Sequence, residues 1–176
     1  MESKEKNTKE KILEEALKLF AQSGYMGTSM NDIASKLGVT KAALYKHYKS
    51  KQEILDSIIE KMNELDIERV KLYEMPEGDL EKVTAEYKET AFDKIKQFTK
   101  VQFLHWTEEE FSCCFRKMLT SEQYREPQMV QLYQNYLASG PLTYMEALFS
   151  GMLGDAGKAR QHLIDVEKFI VKEARR

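Results

Sequence analysis

Apolar residues recur at spacings of three and four along much of the chain, which is the pattern of helices that bury one face. The repeat in the first predicted helix consists of Ile12, Leu13, Ala16, Leu17 and Phe20. Thr8 is expected to cap this helix at its start, and Gly24 stands where a glycine typically ends one. Alternation of apolar and polar residues, as in strands, is not visible anywhere. The pattern therefore predicts an all-α fold of about nine helices.

Two short helices are predicted after the first. Ser29 and Asp32 resemble a capping box with Asp in place of Glu, and Gly38 is expected to end the helix that they begin. Thr40 is expected to cap a third helix, which runs to about His47 or Tyr48.

Longer helices are predicted for the rest of the chain. Ser50 is expected to cap a fourth helix, which the stretch MPEGD at residues 75–79 ends. Beyond this break the pattern predicts a helix over Leu80–His105, one opened by a capping box of Thr107 and Glu110, one starting at Pro127, one over Leu142–Met152, and a last one that carries Leu163, Val166, Phe169 and Ile170.

The charge is unevenly distributed, although the 176 residues together carry a formal net charge of only −2. Residues 1–51 contain ten lysines and six acidic residues, whereas the remainder contains 17 basic and 23 acidic residues. The acid-free interval between Asp32 and Glu53 contains Lys36, Lys41, Lys46, Lys49 and Lys51. A basic segment on an acidic body predicts one surface that faces a polyanion.

Two short helices joined by a turn with glycine are typical of a helix-turn-helix, whose second helix enters the major groove of DNA. Ala42 and Ala43 keep that helix thin where it would meet base pairs, and Lys41 can reach a guanine or a phosphate. Tyr45 and His47 carry donors suited to phosphate oxygens. A DNA-facing surface explains this mixture of small, basic and aromatic residues better than a solvated helix face does.

The stretch GTSMNDIASKLGVTKAALYKHYKSKQEIL resembles the DNA-binding domain of the TetR family of bacterial transcriptional regulators. The matching features are LFAQSGYMGTS at the end of the first helix, then DIA, GVTKAALY, HY, and SK at the start of the fourth helix. The resemblance implies a homodimer that binds a palindromic operator in double-stranded DNA, usually as a repressor. It also implies a helix-turn-helix domain over residues 1–50 and a helical ligand-binding and dimerisation domain over residues 51–176.

A set of DNA contacts follows from the resemblance, position by position. Thr28 lies near the start of the second helix, and Thr40 is a cap, a phosphate contact or both. Lys51 is expected to bind a phosphate together with the first amides of the fourth helix, and both Tyr45 and Lys51 are expected to face outward. The complete set is Thr28, Thr40, Lys41, Ala42, Ala43, Tyr45, Lys46, His47 and Lys51.

The C-terminal half contains many aromatic residues and methionines but no motif of comparable specificity. Helical cavities of this composition adapt to flat or greasy ligands; the alternative is that these side chains simply fill the core. The residues expected to line a pocket for a small apolar or aromatic effector are Phe98, Phe103, Trp106, Phe111, Phe115 and Tyr133.

Other kinds of chemistry find little support in the sequence. It contains no glycine-rich phosphate loop, nucleophile elbow or paired-histidine motif, so an enzyme is not predicted. The spacing of His105, Cys113 and Cys114 fits no standard zinc pattern, so neither a metal site nor a cofactor is predicted. Because no run suits a signal peptide or a membrane span, a cytoplasmic protein without a membrane partner is predicted.

Three functions therefore stay open. The leading hypothesis is a ligand-responsive repressor that a small apolar or aromatic ligand releases from its operator. The second is an architectural or division-control protein that binds DNA with the same fold but has no inducer. The third is a helical small-molecule-binding protein that no longer binds DNA, against which the acid-free basic interval argues.

Overall fold

The computed structural model describes residues 2–154 together with 157, 161 and 164. In this part of the chain nine α-helices and no strand are present, and the predicted all-α fold is confirmed. The helices are α1 (Glu2–Ser23), α2 (Met30–Leu37), α3 (Lys41–Tyr45), α4 (Lys51–Leu72), α5 (Leu80–Glu89), α6 (Phe92–Glu108), α7 (Glu110–Glu122), α8 (Pro127–Leu137) and α9 (Ser139–Leu153).

Several helix ends lie where the sequence did not predict them. Helix α1 begins at Glu2, so Thr8 lies inside it and is not its cap. Helix α3 ends at Tyr45, two or three residues early. Helix α9 begins at Ser139, before the predicted start at Leu142. It includes Pro141 in its first turn, where the missing N–H of proline is tolerated. The predicted last helix lies outside the described residues apart from 157, 161 and 164.

The helix predicted over Leu80–His105 is in fact two helices, α5 and α6. Thr90 has extended backbone at φ −76° and ψ 130°, and its hydroxyl donates to the carbonyl of Glu86 at 2.8 Å. Such a bond from a threonine side chain to the preceding turn competes with the continuing helix. Apolar spacing does not register a break of this kind, because the periodicity continues on both sides of it.

The capping box predicted for the next helix is also wrong. Thr107 lies within α6, where its hydroxyl donates to the carbonyl of Phe103 at 2.7 Å. Glu109 occupies the N-cap position of α7 without a side-chain hydrogen bond to the helix.

The described chain divides into two compact units. The first comprises the described residues within 1–69 and 100–133, and the second comprises those within 70–99 and 134–176. The domain boundary predicted at residue 50 divides a proposed DNA-binding function from a proposed ligand-binding function. It does not coincide with the boundary between the compact units, and it stays a prediction.

The core of the first unit is built on the apolar face of α1. All five residues of its predicted repeat are buried, and α1 packs against both α2 and α7. Phe20 and Leu17 are almost completely inaccessible, and Phe20 also contacts the ring of Tyr25 edge-on at 5.1 Å between centroids. Full burial of one such aliphatic or aromatic side chain is worth roughly 1.5–3 kcal/mol.

The second unit contains the contact between α5 and α9. Val83 of α5 and Leu148 of α9 are buried in it. An open groove of about 540 Å³ runs beside this contact, and its lining includes Leu80, Ala85 and Ala147.

A buried polar cluster in the first unit joins α4 and α6. Arg69 is 7% exposed, and its Nε donates to Oε1 of Gln102 at 2.7 Å. Its Nη1 lies 2.8 Å from Nδ1 of His105, and its Nη2 forms an ion pair with Asp66. Together these partners use all three guanidinium nitrogens, which is what makes a buried arginine tolerable.

His105 is completely buried at the centre of this cluster. Its Nδ1 lies 2.6 Å from a carboxylate oxygen of Glu109, and its Nε2 lies 2.8 Å from the hydroxyl of Ser112 on α7. Burial lowers the pKa of His105 below its ordinary value of 6.5; Arg69 acts in the same direction, whereas Glu109 and Asp66 oppose it. Burial therefore favours the neutral form of His105.

The stability of the protein is expected to fall on acidification because of His105. His105 takes up a proton at lower pH in the folded state than in the unfolded chain. The free energy of unfolding therefore has its full value above about pH 6.5 and decreases as the pH falls toward the folded pKa. Urea unfolding of wild type and His105→Gln at about pH 7.5 and about pH 5.5 measures the effect. The variant should lose less stability than wild type.

Equal losses in wild type and His105→Gln would show that His105 does not set this dependence.

Candidate DNA-binding surface

Helix α2 is fixed at both ends by the residues that the sequence indicated. The hydroxyl of Ser29 accepts the N–H of Asp32 at 3.2 Å, and the carboxylate of Asp32 accepts the N–H of Ser29 at 2.8 Å, which completes the capping box. The hydroxyl of Ser29 also donates to this carboxylate at 2.6 Å, and this bond and the one from the Ser29 N–H lower the pKa of Asp32. Gly38 ends the helix at φ +67°, a left-handed conformation that glycine adopts without strain.

Helix α3 is short and is anchored by two apolar contacts with the core. Thr40 caps it, since its Oγ1 accepts the N–H of Ala43 at 3.2 Å. Leu44 is fully buried and Tyr48 is 4% exposed, as their four-residue spacing predicted. With these two side chains in the core, Lys41, Ala42 and Tyr45 of α3 remain exposed.

The exposed side chains of α3 are those that the sequence singled out. Lys41, Ala42, Tyr45 and Lys46 are exposed, whereas Ala43 and His47 are half-buried. Tyr45 is 41% exposed, and the Nζ of Lys41 lies 5.8 Å from the centroid of its ring. Thus a small side chain, two cations and a phenol share one accessible face.

Thr28 has a structural position in the turn before α2. It is 3% exposed, and its hydroxyl donates to the carbonyl of Gly24 at 2.8 Å. The side chain therefore closes the connection between α1 and α2. Its predicted contact with DNA stays a prediction.

Lys51 does not face outward, and that expectation is wrong. Its Nζ donates to the carbonyls of Tyr25 at 2.6 Å and of Thr28 at 2.8 Å, and it lies 4.3 Å from the centroid of the Tyr25 ring. Burial lowers the pKa of Lys51, whereas the charge of Glu122 opposes that effect. The basic run gave no sign of these contacts, because the two carbonyls lie 26 and 23 residues away in the sequence.

The six residues predicted to line a ligand pocket are divided between the two units. Phe98 lies in the second unit, where it is 9% exposed and contacts the ring of Tyr73 at 6.1 Å between centroids. The other five, Phe103, Trp106, Phe111, Phe115 and Tyr133, lie in the first unit.

These five side chains differ in their surroundings. Phe115 is fully buried, whereas Phe103 is 40% exposed. Trp106 and Tyr133 are half-buried, as is Phe111, whose ring lies 4.8 Å from the Nζ of Lys61. Their role as the wall of a ligand pocket stays a prediction.

Two further findings concern the described residues. Three or more histidine, cysteine, aspartate or glutamate side chains are nowhere placed among them so that they could hold a metal ion. Nor does any helix in that part of the chain have the length and apolar character needed to cross a membrane.

Comparison with known families addresses the helix-turn-helix directly. Residues 12–58, from the buried face of α1 to the first two turns of α4, match the family described as "Bacterial regulatory proteins, tetR family". The predicted resemblance to the TetR family is confirmed. This TetR-type segment contains the loop, caps and exposed α3 side chains described above.

Curated relatives match over a similarly short length. The "Biofilm operon icaADBC HTH-type negative transcriptional regulator IcaR" of Staphylococcus epidermidis is 42% identical over 52 residues, which are 30% of this chain and 28% of the relative. Its counterpart in Staphylococcus aureus strain Newman is 41% identical over 51 residues, 29% of this chain and 27% of the relative. Each match thus spans less than a third of the relative's length.

One solved structure is similar over most of the chain. It is a protein described as "Clostridium perfringens putative fatty acid metabolism regulator", with 25% sequence identity and a TM-score of 0.56. The alignment covers 93% of this chain and 86% of that one. The helical fold similarity therefore extends well beyond the TetR-type segment.

Removal of the α2 cap is expected to destabilise the protein. Ser29→Ala leaves the N–H of Asp32 without its acceptor and should lower the free energy of unfolding by about 1 kcal/mol. Urea unfolding monitored by circular dichroism measures the change. Ser35→Ala, an exposed serine inside the same helix, should change stability by less than about 0.5 kcal/mol. Equal effects of the two substitutions would show that the capping box contributes nothing specific.

Proposed function

We propose that this chain is a DNA-binding transcriptional regulator, and specifically a repressor that a small apolar or aromatic ligand releases from a palindromic operator. The observation that supports DNA binding is the exposed face of α3. It follows a capped α2, is anchored by Leu44 and Tyr48, and lies in an interval without acidic residues. A helix-turn-helix with these features fits the major groove.

The exposed residues of α3 differ in the part each would play on DNA. Ala42 leaves room for close approach to base pairs and offers a methyl group to thymine. Lys41, at the start of the helix, is placed to bind a guanine edge or a phosphate. Tyr45 and Lys46 offer donors to phosphate oxygens, which position the protein without reading sequence.

The support for repression, dimerisation and ligand release is less specific than the support for DNA binding. The Staphylococcus relatives are described as negative transcriptional regulators, which favours a repressor. A homodimer would present two copies of α3 about one helical turn apart, which suits an inverted repeat. The half-buried aromatic residues of α6, α7 and α8 favour an apolar effector. The full burial of Phe115 instead favours the architectural alternative, in which the core is simply filled.

Substitution of an exposed lysine on α3 is expected to weaken DNA binding. The bound sites are first located by genome-wide footprinting, and the affinity of Lys41→Ala for one such site is then measured over a range of salt concentrations. If Lys41 binds a phosphate, the affinity falls and the slope of log K against log salt becomes shallower by about 0.9. Lys117→Ala removes an equally exposed lysine from α7 and should change neither quantity. Identical behaviour of both variants and wild type would exclude Lys41 from the interface.

Binding of an effector is expected to weaken operator affinity. Trp106 is the only tryptophan, so its fluorescence reports ligand binding to α6 without labelling. A screen of apolar and aromatic compounds should identify one that changes this emission and lowers operator affinity, with a coupling free energy of about 1–3 kcal/mol. By linkage, operator DNA must weaken binding of the compound by the same factor. Compounds that bind without any effect on operator affinity would contradict the proposed switch.

A further inference from the structure

Glu122 is a buried carboxylate for which neither the fold nor the proposed function has an evident use. It is the last residue of α7 and is only 1% exposed. Its Oε2 lies 3.8 Å from the Nε of Arg125, and no hydrogen-bond partner for that oxygen is found in the described part of the chain. Burial of a carboxylate costs free energy unless charges or donors compensate it. The position therefore requires an explanation.

The carboxylate of Glu122 lies directly against the loop that connects α1 and α2, residues 24–29. A Cβ atom at Gly24 would overlap its Oε1, so a larger residue there would require this carboxylate to shift. Gly24 also has φ +80°, a conformation that suits glycine for an independent reason. The end of α7 and the beginning of the loop are thus fitted to each other.

Lys51 holds the same loop from the side of α4. Its ammonium group binds the carbonyls of Tyr25 and Thr28, and the phenol of Tyr25 donates to Gln52 at 3.0 Å. Burial lowers the pKa of Lys51, and the charge of Glu122 opposes that effect. The loop is therefore bound by a cation from α4, and its first residue lies against a carboxylate from α7.

Movement of this loop would be passed on to the DNA-binding helices. Thr28 is bonded to Gly24 through its hydroxyl, and the next residue, Ser29, is the N-cap of α2. Helix α2 in turn packs against α3. A displacement of the α7 end relative to Gly24 would accordingly change the position from which α2 and α3 begin.

We propose that Glu122 and Lys51 are positioning residues that hold the α1–α2 loop, and that α7 influences the DNA-binding helices through this junction of Gly24, Tyr25, Thr28, Lys51 and Glu122. The proposal rests on the proposed function, since it concerns the geometry with which α3 meets DNA. It assigns Lys51 an indirect role in place of a phosphate contact.

The experiment compares Lys51→Met and Glu122→Gln with wild type in two measurements on the full chain. Hydrogen–deuterium exchange of residues 24–29 without DNA should be faster in both variants, because Gly24 and Thr28 donate backbone hydrogen bonds within this region. Affinity for a footprinted DNA site should fall about tenfold, as expected for loss of an interaction with a charged group. The salt slope of Lys51→Met should remain that of wild type.

Matched controls separate this effect from a general loss of charge. Lys49→Met and Glu126→Gln remove an exposed lysine and an exposed carboxylate near the same helix ends. Neither should accelerate exchange in residues 24–29. Lys51→Arg, which keeps a cationic donor, should retain most of the protection and provides the comparison if Lys51→Met does not fold.

Coupling between the two residues is a further requirement. The double variant should lose less affinity than the two single losses added together, because both act on one junction. Additive losses would overturn the shared junction.

The two proposals can fail separately. If wild type binds no footprinted site and no genomic DNA, the proposed function fails, and the exchange data alone decide on the junction. If Lys51→Met shows wild-type exchange but a salt slope shallower by about 0.9, Lys51 is a phosphate contact and the junction is overturned. Wild-type exchange and affinity in Glu122→Gln would overturn it as well.

Discussion

Burial of one apolar face of α1 is the interaction on which the first unit depends. Phe20, Leu17 and their neighbours on that face are buried, and α1 packs against both α2 and α7. The same helix thereby connects the helix-turn-helix to a helix that follows it by some ninety residues. Since one packed face serves both contacts, a change in the position of α7 cannot be independent of α1 and the loop that follows it.

The candidate surface on α3 is a consequence of this core. Five helical residues have little intrinsic stability in water, so α3 exists because Leu44 and Tyr48 are buried and Thr40 caps its start. The side chains proposed to meet DNA are those that this anchoring leaves exposed. Lys51 and Thr28 are exceptions: the carbonyls of the α1–α2 loop bind the ammonium group of Lys51, and Thr28 is buried in that loop.

Buried polar groups give the first unit its specific contacts between helices. Arg69, His105 and Ser112 join α4, α6 and α7, while Glu122 and Lys51 join α7 and α4 to the α1–α2 loop. In an apolar core many arrangements have similar free energy, whereas a buried polar group is satisfied in few of them. Both clusters involve α4, which continues beyond the TetR-type segment, and α7, which packs against α1.

The sequence by itself determined the features that depend on neighbouring residues. It predicted the buried face of α1, the capping box of Ser29 and Asp32, the helix end at Gly38 and the cap at Thr40. Each of these features involves atoms within a few positions of one another. The sequence did not predict that Leu80–His105 divides at Thr90, since apolar periodicity continues across the break. Only the tertiary structure decided where long polar side chains point. Lys51 and Glu122 each reach groups more than twenty residues away, and a flexible side chain takes its direction from whichever partner the fold brings within reach.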